Sequence, residues 1–238
     1  MKRIAALAVV LILTGCSTVE SKDVRTSGIT ANLLVTLPEN ADQADVNASL
    51  RVGTLTFVEL GADDRITASG GGQTTRLDHH RAAGVTRYSN RLDAAKAGTE
   101  ITFSLERDGD NESAPRSTVV LPERVRLVAP AAGTTYSRRT AIAVRFDSGP
   151  SQQPSILTWA GECIQPGSLQ LEPGRTSATI ARGSIKPAAT TVTPAGSSST
   201  CQIDLTLTRR VEGTLDEAFK DGSIAAESQS VRRVVSAP

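Results

Sequence analysis

The sequence has few of the residue types that support nucleic-acid binding. Aromatic residues make up 3% of the 238 residues, and 26 lysines and arginines are balanced by 25 acidic residues. So few aromatic side chains are a poor supply of stacking surfaces for bases or sugars. A nearly neutral chain also lacks the strong basic patch that nucleic acids require. We therefore expect no nucleic-acid partner.

Recognisable catalytic motifs are missing as well. The chain has no Gly-x-Ser-x-Gly sequence, and its only histidines, His79 and His80, are the only possible bases for a serine nucleophile. The glycines at 70–72 match neither a dinucleotide-binding fingerprint nor a phosphate-binding loop, and no helical pattern follows them. Paired carboxylates suited to glycoside cleavage cannot be recognised from sequence, because their separation is three-dimensional. The sequence predicts no cofactor and favours a protein without catalysis.

Asp78, His79 and His80 are the weak candidates for a metal site. Neighbouring residues of a strand point to opposite faces, so the two histidines cannot easily bind one ion together unless the chain bends. A site with Asp78 would need a further, distant ligand. We therefore predict no metal and interpret these residues as a polar strand end or loop.

The N-terminus has the parts of an export signal. Lys2 and Arg3 precede an apolar run at residues 4–13, which is half of the roughly 20 residues needed to span a bilayer. Small residues, Thr14 and Gly15, follow this run. The pattern predicts a signal peptide over residues 1–15 rather than a permanent transmembrane helix.

The end of this signal, Leu13-Thr14-Gly15-Cys16, resembles the lipobox of bacterial lipoproteins. The resemblance implies that the chain is cut before Cys16, that its sulfur carries diacylglycerol and that its new amino group is acylated, palmitate being the acyl chain to look for. Ser17 stands where an Asp would resemble an inner-membrane retention signal, so the resemblance implies the cell envelope and its outer membrane. The alternative is a plain signal peptide that ends by chance in a cysteine.

The segment after Cys16 is predicted to be a tether. Residues 20–28 are polar and have neither a strand nor a helix pattern. Residues 16–28 would therefore form a lipidated N-terminus and a flexible coil, which spans roughly 17–19 Å for ten residues. Such a tether would let the folded part stand away from the lipid.

From residue 29 onward the pattern is one of short strands and turns. Residues 46–52 and 101–105 alternate between apolar and polar side chains, which is typical of strands with one buried face. Seven or eight short strands in residues 29–122 fit an antiparallel β-sandwich of immunoglobulin-like size. Residues 123–238 repeat the pattern, with a closing edge strand at 231–235. We predict an all-β chain with two tandem sandwiches that meet near Pro122.

Two cysteines remain if Cys16 carries lipid. Cys163 shares an apolar strand face with Trp159, and Cys201 begins the alternating run 201–207. An interior disulfide between two strands of the second domain is therefore predicted, because such bonds persist in exported proteins. A redox or metal site is the alternative, but no Cys-x-x-Cys sequence is present.

The function favoured by these features is binding, adhesion or scaffolding at the cell envelope. The membrane would be one partner, through the N-terminal lipid, and an envelope protein or polymer the other. Residues 201–210, together with Gly213 and residues 216–219, also resemble the ends of uncharacterised proteobacterial lipoproteins, a likeness that implies no activity. The alternatives are a hydrolase of envelope sugars or peptides that uses carboxylates, and a small-ligand carrier with an apolar cavity.

Overall fold

The computed structural model describes residues 17–109, 112–147, 149, 152–188 and 200–238. Cys16 and the predicted signal peptide lie outside these residues. The described part of the chain consists of β-strands and two single-turn 3-10 helices, Ser21–Asp23 and Thr26–Gly28. No helix within it is long and apolar enough to cross a membrane.

The strands fall into three sheets. Their bounds in chain order are β1 (Ser17–Glu20), β2 (Thr30–Pro38), β3 (Ala44–Val52), β4 (Thr56–Glu59), β5 (Arg65–Gly70), β6 (Gln73–Arg76), β7 (Asp78–Ala82), β8 (Val85–Leu92), β9 (Glu100–Glu106), β10 (Ala114–Val120), β11 (Arg126–Ala129), β12 (Thr135–Ser137), β13 (Ile142–Asp147), β14 (Ser155–Ala160), β15 (Gly167–Leu171), β16 (Ser177–Ile180), β17 (Cys201–Glu212) and β18 (Asp221–Ala237).

One large sheet runs through both halves of the molecule, in the order β1-β4-β3-β2-β18-β17-β14-β15, with β12 paired to β18 and the β7–β8 hairpin joined to β3. A four-stranded sheet, β10-β9-β5-β6, belongs to the first half, and a three-stranded sheet, β11-β13-β16, belongs to the second. Each smaller sheet contributes to a separate hydrophobic core together with strands of the large sheet. The predicted fold class, all-β with two sandwiches in tandem, is confirmed.

The cores form where alternation along the strands places apolar side chains on one face. In β2 every second residue from Ala31 to Leu37 is buried, and β9 repeats the pattern with Ile101, Phe103 and Leu105. Burying each large aliphatic or aromatic side chain contributes about 1.5–3 kcal/mol. Trp159 and Phe146 anchor the second core in the same way.

Not all pairing is antiparallel. β1 runs parallel to β4, β18 runs parallel to β2, and β12 runs parallel to β18. The prediction of purely antiparallel sandwiches was wrong on this point. Parallel neighbours are joined by long connections rather than by tight turns, so no hairpin signal in the sequence marks them.

The last strand is central rather than marginal. The prediction of an edge strand at 231–235 was wrong, because these residues belong to the 17-residue strand β18, which lies between β17 and β2. Its first half contributes Ile224 and Ala226 to the first core, and its second half contributes Val234 to the second core. β18 therefore joins the two sandwiches within one continuous strand.

The predicted boundary at Pro122 needs two corrections. Residues 123–238 do not form the second domain alone, because Ala218 and Phe219 pack in the first core together with the start of β18. The junction itself is packed: Arg124 donates hydrogen bonds to four backbone carbonyls of residues 38, 39, 41 and 95, at 2.7–3.2 Å. Val125, just beyond the boundary, is fully buried.

The predicted disulfide is present. Cys163 and Cys201 are bonded, with their α-carbons 6.0 Å apart. Both cysteines pack against the second core. The bond ties the start of β17 to the segment that follows β14.

Candidate functional site

A concave surface lined entirely by polar residues lies on the outer face of the first sandwich. It crosses β2, β3, β8 and the start of β7, and encloses about 520 Å³. We call it the polar groove. Its lining consists of hydroxyl, amide, carboxylate and basic side chains: Thr36, Asp45, Asn47, Asp78, His80, Ser89, Asn90 and Arg91.

Strand pairing explains why these side chains meet. Ser89 of β8 lies opposite Asn47 of β3 on one side and opposite Asp78 of β7 on the other. Residues directly opposite each other project from the same face of a sheet. Three adjacent strands of the sheet, β3, β8 and β7, therefore place an amide, a hydroxyl and a carboxylate in one row.

Local contacts hold the rim of the groove in place. Asn90 donates from Nδ2 to the backbone oxygen of Arg76 at 2.7 Å and to Asp78 Oδ2 at 3.2 Å. Arg91 Nε lies 3.4 Å from Asp45 Oδ1. The Arg91 and Asp45 side chains are 72% and 45% exposed, so this ion pair contributes little to stability, and both charges remain accessible to a partner.

The structure separates the three weak metal candidates. Asp78 and His80 line the polar groove, whereas the His79 ring contacts the Tyr88 ring in a tilted arrangement, with centroids 5.6 Å apart. His79 Nε2 also lies 4.0 Å from Glu59 Oε1. Within the described ranges, no group of three His, Cys, Asp or Glu side chains has an arrangement that could hold a metal ion.

The buried side chain of Tyr88 connects β8 to β4 next to His79. Its hydroxyl donates to the backbone oxygen of Val58 at 3.0 Å and accepts a hydrogen bond from the backbone nitrogen of Leu60 at 2.8 Å. Burial is the main reason why the pKa of Tyr88 is raised to about 12. The phenol therefore stays protonated at neutral pH and keeps β4 attached to β8.

The second functional feature is the N-terminal segment, and it is not a flexible tether. β1 pairs in parallel with β4, so Ser17 lies opposite Thr56 and Glu20 lies opposite Glu59. The Ser17 backbone nitrogen donates to the backbone oxygen of Leu55 at 3.3 Å. The prediction of a free coil over residues 16–28 was wrong from residue 17 onward.

A buried arginine fixes the rest of this segment. Arg107 donates from Nη2 to the backbone oxygens of Ser21 and Val24, at 2.6 and 3.1 Å, and from Nη1 to Thr26 Oγ1 at 3.2 Å. Its Nε donates to Asp64 Oδ2 at 2.8 Å, and the Arg107 side chain is fully buried. The polar segment was mistaken for a coil because its main partner, Arg107, lies 81 to 86 residues away along the chain.

Two further hydrogen bonds, made by side chains of the N-terminal segment, hold it against the first sandwich. Ser21 is buried, and its hydroxyl accepts a hydrogen bond from the backbone nitrogen of Gly61 at 2.9 Å. Thr26 is buried too, and its hydroxyl donates to the backbone oxygen of Glu112. The chain is therefore held in place from residue 17, immediately after the predicted lipid attachment point.

Comparisons with known proteins give structural likenesses only. No protein-family model and no curated protein matches the chain. A two-domain fibronectin type III segment of chicken tenascin is 12% identical, with 86% of this chain and 96% of that one covered and a TM-score of 0.24.

Two other solved structures are similarly distant. Fibronectin(III)-like modules of Clostridium thermocellum CbhA are 13% identical, with 88% of this chain and 93% of that one covered and a TM-score of 0.25. The two immunoglobulin domains of DIP-gamma are 8% identical, with 87% and 94% covered and a TM-score of 0.23. At such scores the likenesses carry no conclusion about partner or activity.

Proposed function

We propose that this chain is a lipid-anchored envelope protein of the outer membrane that binds an envelope protein or polymer and catalyses no reaction. The lipobox-like sequence ending in Cys16 supports the anchor, since an acylated cysteine with two or more chains gives stable membrane attachment. Residue 17 already belongs to the folded domain. An anchored Cys16 would thus connect the lipid directly to the first sandwich.

The observation that carries the binding role is the polar groove. Its side chains are presented by paired strands, and strands place binding groups more accurately than mobile loops do. The groove offers both hydrogen-bond donors and acceptors, which suits hydroxyl, amide and charged groups of a polar polymer or protein surface. An apolar carrier function is not favoured, because such sites are largely enclosed and apolar.

A carboxylate hydrolase is the second candidate, because Asp45 and Asp78 line the same groove. Glycosidases need one carboxyl group that an apolar environment keeps protonated. Asp78 is exposed and accepts a hydrogen bond from Asn90, and Asp45 lies beside Arg91. These polar, solvated surroundings favour binding over acid catalysis.

We expect Ser89→Trp to weaken binding to isolated envelope material by at least about tenfold, or roughly 1.4 kcal/mol. Ser89 lies in the middle of the groove wall, and an indole there would occupy the space of the partner. The substitution suits a strand, because aromatic residues are favoured in sheets. Binding is measured with purified protein against cell-wall sacculi, envelope polysaccharide and solubilised envelope proteins.

The matched control is Ser168→Trp, at an exposed position of β15 in the same large sheet. This variant should bind as the parent protein does. Equal binding by the Ser89 and Ser168 variants would contradict a role for the groove. Release of sugars or peptides by the parent protein, lost in Asp78→Asn, would instead establish the hydrolase.

A further inference from the structure

We infer that one particular end of the first sandwich rests on the lipid surface and that the second sandwich projects away from it. This inference builds on the proposed acylation of Cys16. The end in question is formed by Ser17, the turn at residues 53–55, Thr30 and the pair Lys220 and Asp221. We call it the basal end.

Strand register brings these residues to one end. Thr56, which follows the turn, lies opposite both Ser17 and Val52. On the other side of β3, Arg51 lies opposite Thr30, which in turn lies opposite Asp221. The ends of β1, β4, β3, β2 and β18 therefore form one row, about 20 Å wide at the usual strand spacing.

The anchor leaves from this row with almost no slack. Consecutive α-carbons are about 3.8 Å apart, so the Cys16 α-carbon lies within that distance of the Ser17 α-carbon. Ser17 is fixed by its hydrogen bonds to Leu55 and Thr56. Acyl chains on Cys16 can enter a bilayer only if the basal end is at the lipid surface.

The basal end carries an apolar contact of its own. Leu55, beside Ser17, is 57% exposed, the highest value among the four exposed large hydrophobic residues in the described part of the chain. Charges at this end have both signs, as Lys220 and Asp221 show. The contact therefore depends on apolar insertion and the acyl chains, and we expect it to be insensitive to salt.

The path of β18 sets the direction of the second sandwich. β18 starts at the basal end with Asp221 and continues for 17 residues into the second core. At roughly 3.3 Å per residue its far end lies about 50 Å from its start. The polar groove, at residues 45–47 of β3, lies roughly 16–23 Å above the basal end, clear of the lipid.

The experiment measures lipid contact by fluorescence quenching. The full lipidated protein is extracted from membranes and reconstituted in phosphatidylethanolamine and phosphatidylglycerol vesicles with brominated acyl chains. The native Trp159 lies buried in the second core, so the parent protein should show no quenching. In Leu55→Trp, the added emission should fall by at least half, at low and high salt alike.

The matched control is Val231→Trp. Val231 is 52% exposed, comparable to Leu55, but lies ten residues along β18 from Asp221, or roughly 33 Å. Its emission should not change. A second control inserts twenty Gly and Ser residues between Cys16 and Ser17, a coil of about 25 Å. Quenching of Leu55→Trp should then fall at least twofold, because the anchor no longer fixes the domain.

Mass spectrometry of the same preparations separates the two ideas. If Cys16 is acylated but residue 55 is unquenched, or residues 55 and 231 are quenched equally, the orientation is refuted and the anchor stands. Retained quenching in the linker variant also refutes an orientation imposed by the docked segment. If Cys16 is not acylated, both the anchor and the orientation are refuted.

Discussion

Replacing Arg107 by alanine is expected to lower the free energy of unfolding by about 3–5 kcal/mol, which is the usual cost of removing one partner from a buried ion pair. The Arg107 side chain is fully buried and that of Asp64 is 8% exposed. Removal of the guanidinium would leave the Asp64 carboxylate buried without its cation. It would also remove the donors that hold the backbone oxygens of Ser21 and Val24.

The measurement is urea unfolding, combined with hydrogen exchange of residues 17–28. Arg65→Ala is the matched control, because the Arg65–Glu106 pair has side chains that are 55% and 44% exposed. Exposed pairs contribute about 0.2–1 kcal/mol. If both variants lost the same small amount, and residues 17–28 stayed protected from exchange in Arg107→Ala, the docked N-terminal segment would not depend on this ion pair.

A double variant tests the physical cause. Arg107→Met with Asp64→Leu leaves no uncompensated charge, and replacing a buried pair by apolar side chains is often neutral or stabilising. We expect it to recover part of the lost free energy while residues 17–28 still exchange quickly. Stability and docking of the segment would then be separated.

Removal of the disulfide is expected to have an effect of similar size. Cys163 and Cys201 are 38 positions apart, and closing a loop of that length contributes about 4 kcal/mol in the chain-entropy model. The double variant Cys163→Ser/Cys201→Ser should lose this amount. Trp159, the single tryptophan, lies in the second core and reports its unfolding by fluorescence.

Reducing agent provides the control. Dithiothreitol should bring the parent protein to the stability of the double serine variant and leave that variant unchanged. Hydrogen exchange in β5 and β9, which belong to the first core's smaller sheet, should change less than in β14. A parent protein whose Trp159 transition is unaffected by reduction would show that the bond contributes nothing to the second core.

The parts of the fold that could be predicted are those with local patterns. Strands β3, β9 and β17 each bury one face and leave the other nearer to solvent, so apolar and polar residues alternate along them. Their positions and buried faces therefore follow from the sequence. The disulfide was predictable for the same reason. Cys163 follows a strand whose alternate residues are buried, and Cys201 begins another.

β18 was beyond this reasoning. Even-numbered residues of β18 are buried from Ile224 to Ser230 and again at Val234. Because Ser228 and Ser230 are polar, this alternation does not appear as an apolar pattern in the sequence. The hydroxyl groups of these two serines accept hydrogen bonds from the backbone nitrogens of Val125 and Leu127, at 3.0 and 2.8 Å. A strand that contributes to two cores and a junction carries a composite pattern, and its parallel partner β2 lies 191 residues away along the chain.

The candidate site, like the fold, could be predicted only in part from the sequence. The weak metal candidates were found because histidines are rare in this chain, but the polar groove combines residues from four strands that only the tertiary structure brings together. Docking of residues 17–28 was missed because its main support, Arg107, has no neighbour in sequence that marks it as buried. Long-range polar contacts of this kind leave no periodic signal.

The most direct test of the whole account is the mass of the N-terminal peptide of the protein isolated from membranes. The account predicts a peptide that begins at Cys16, with diacylglycerol on its sulfur and an acyl chain on its amino group. A mature peptide that begins at another residue, or one that begins at Cys16 without lipid, would contradict it.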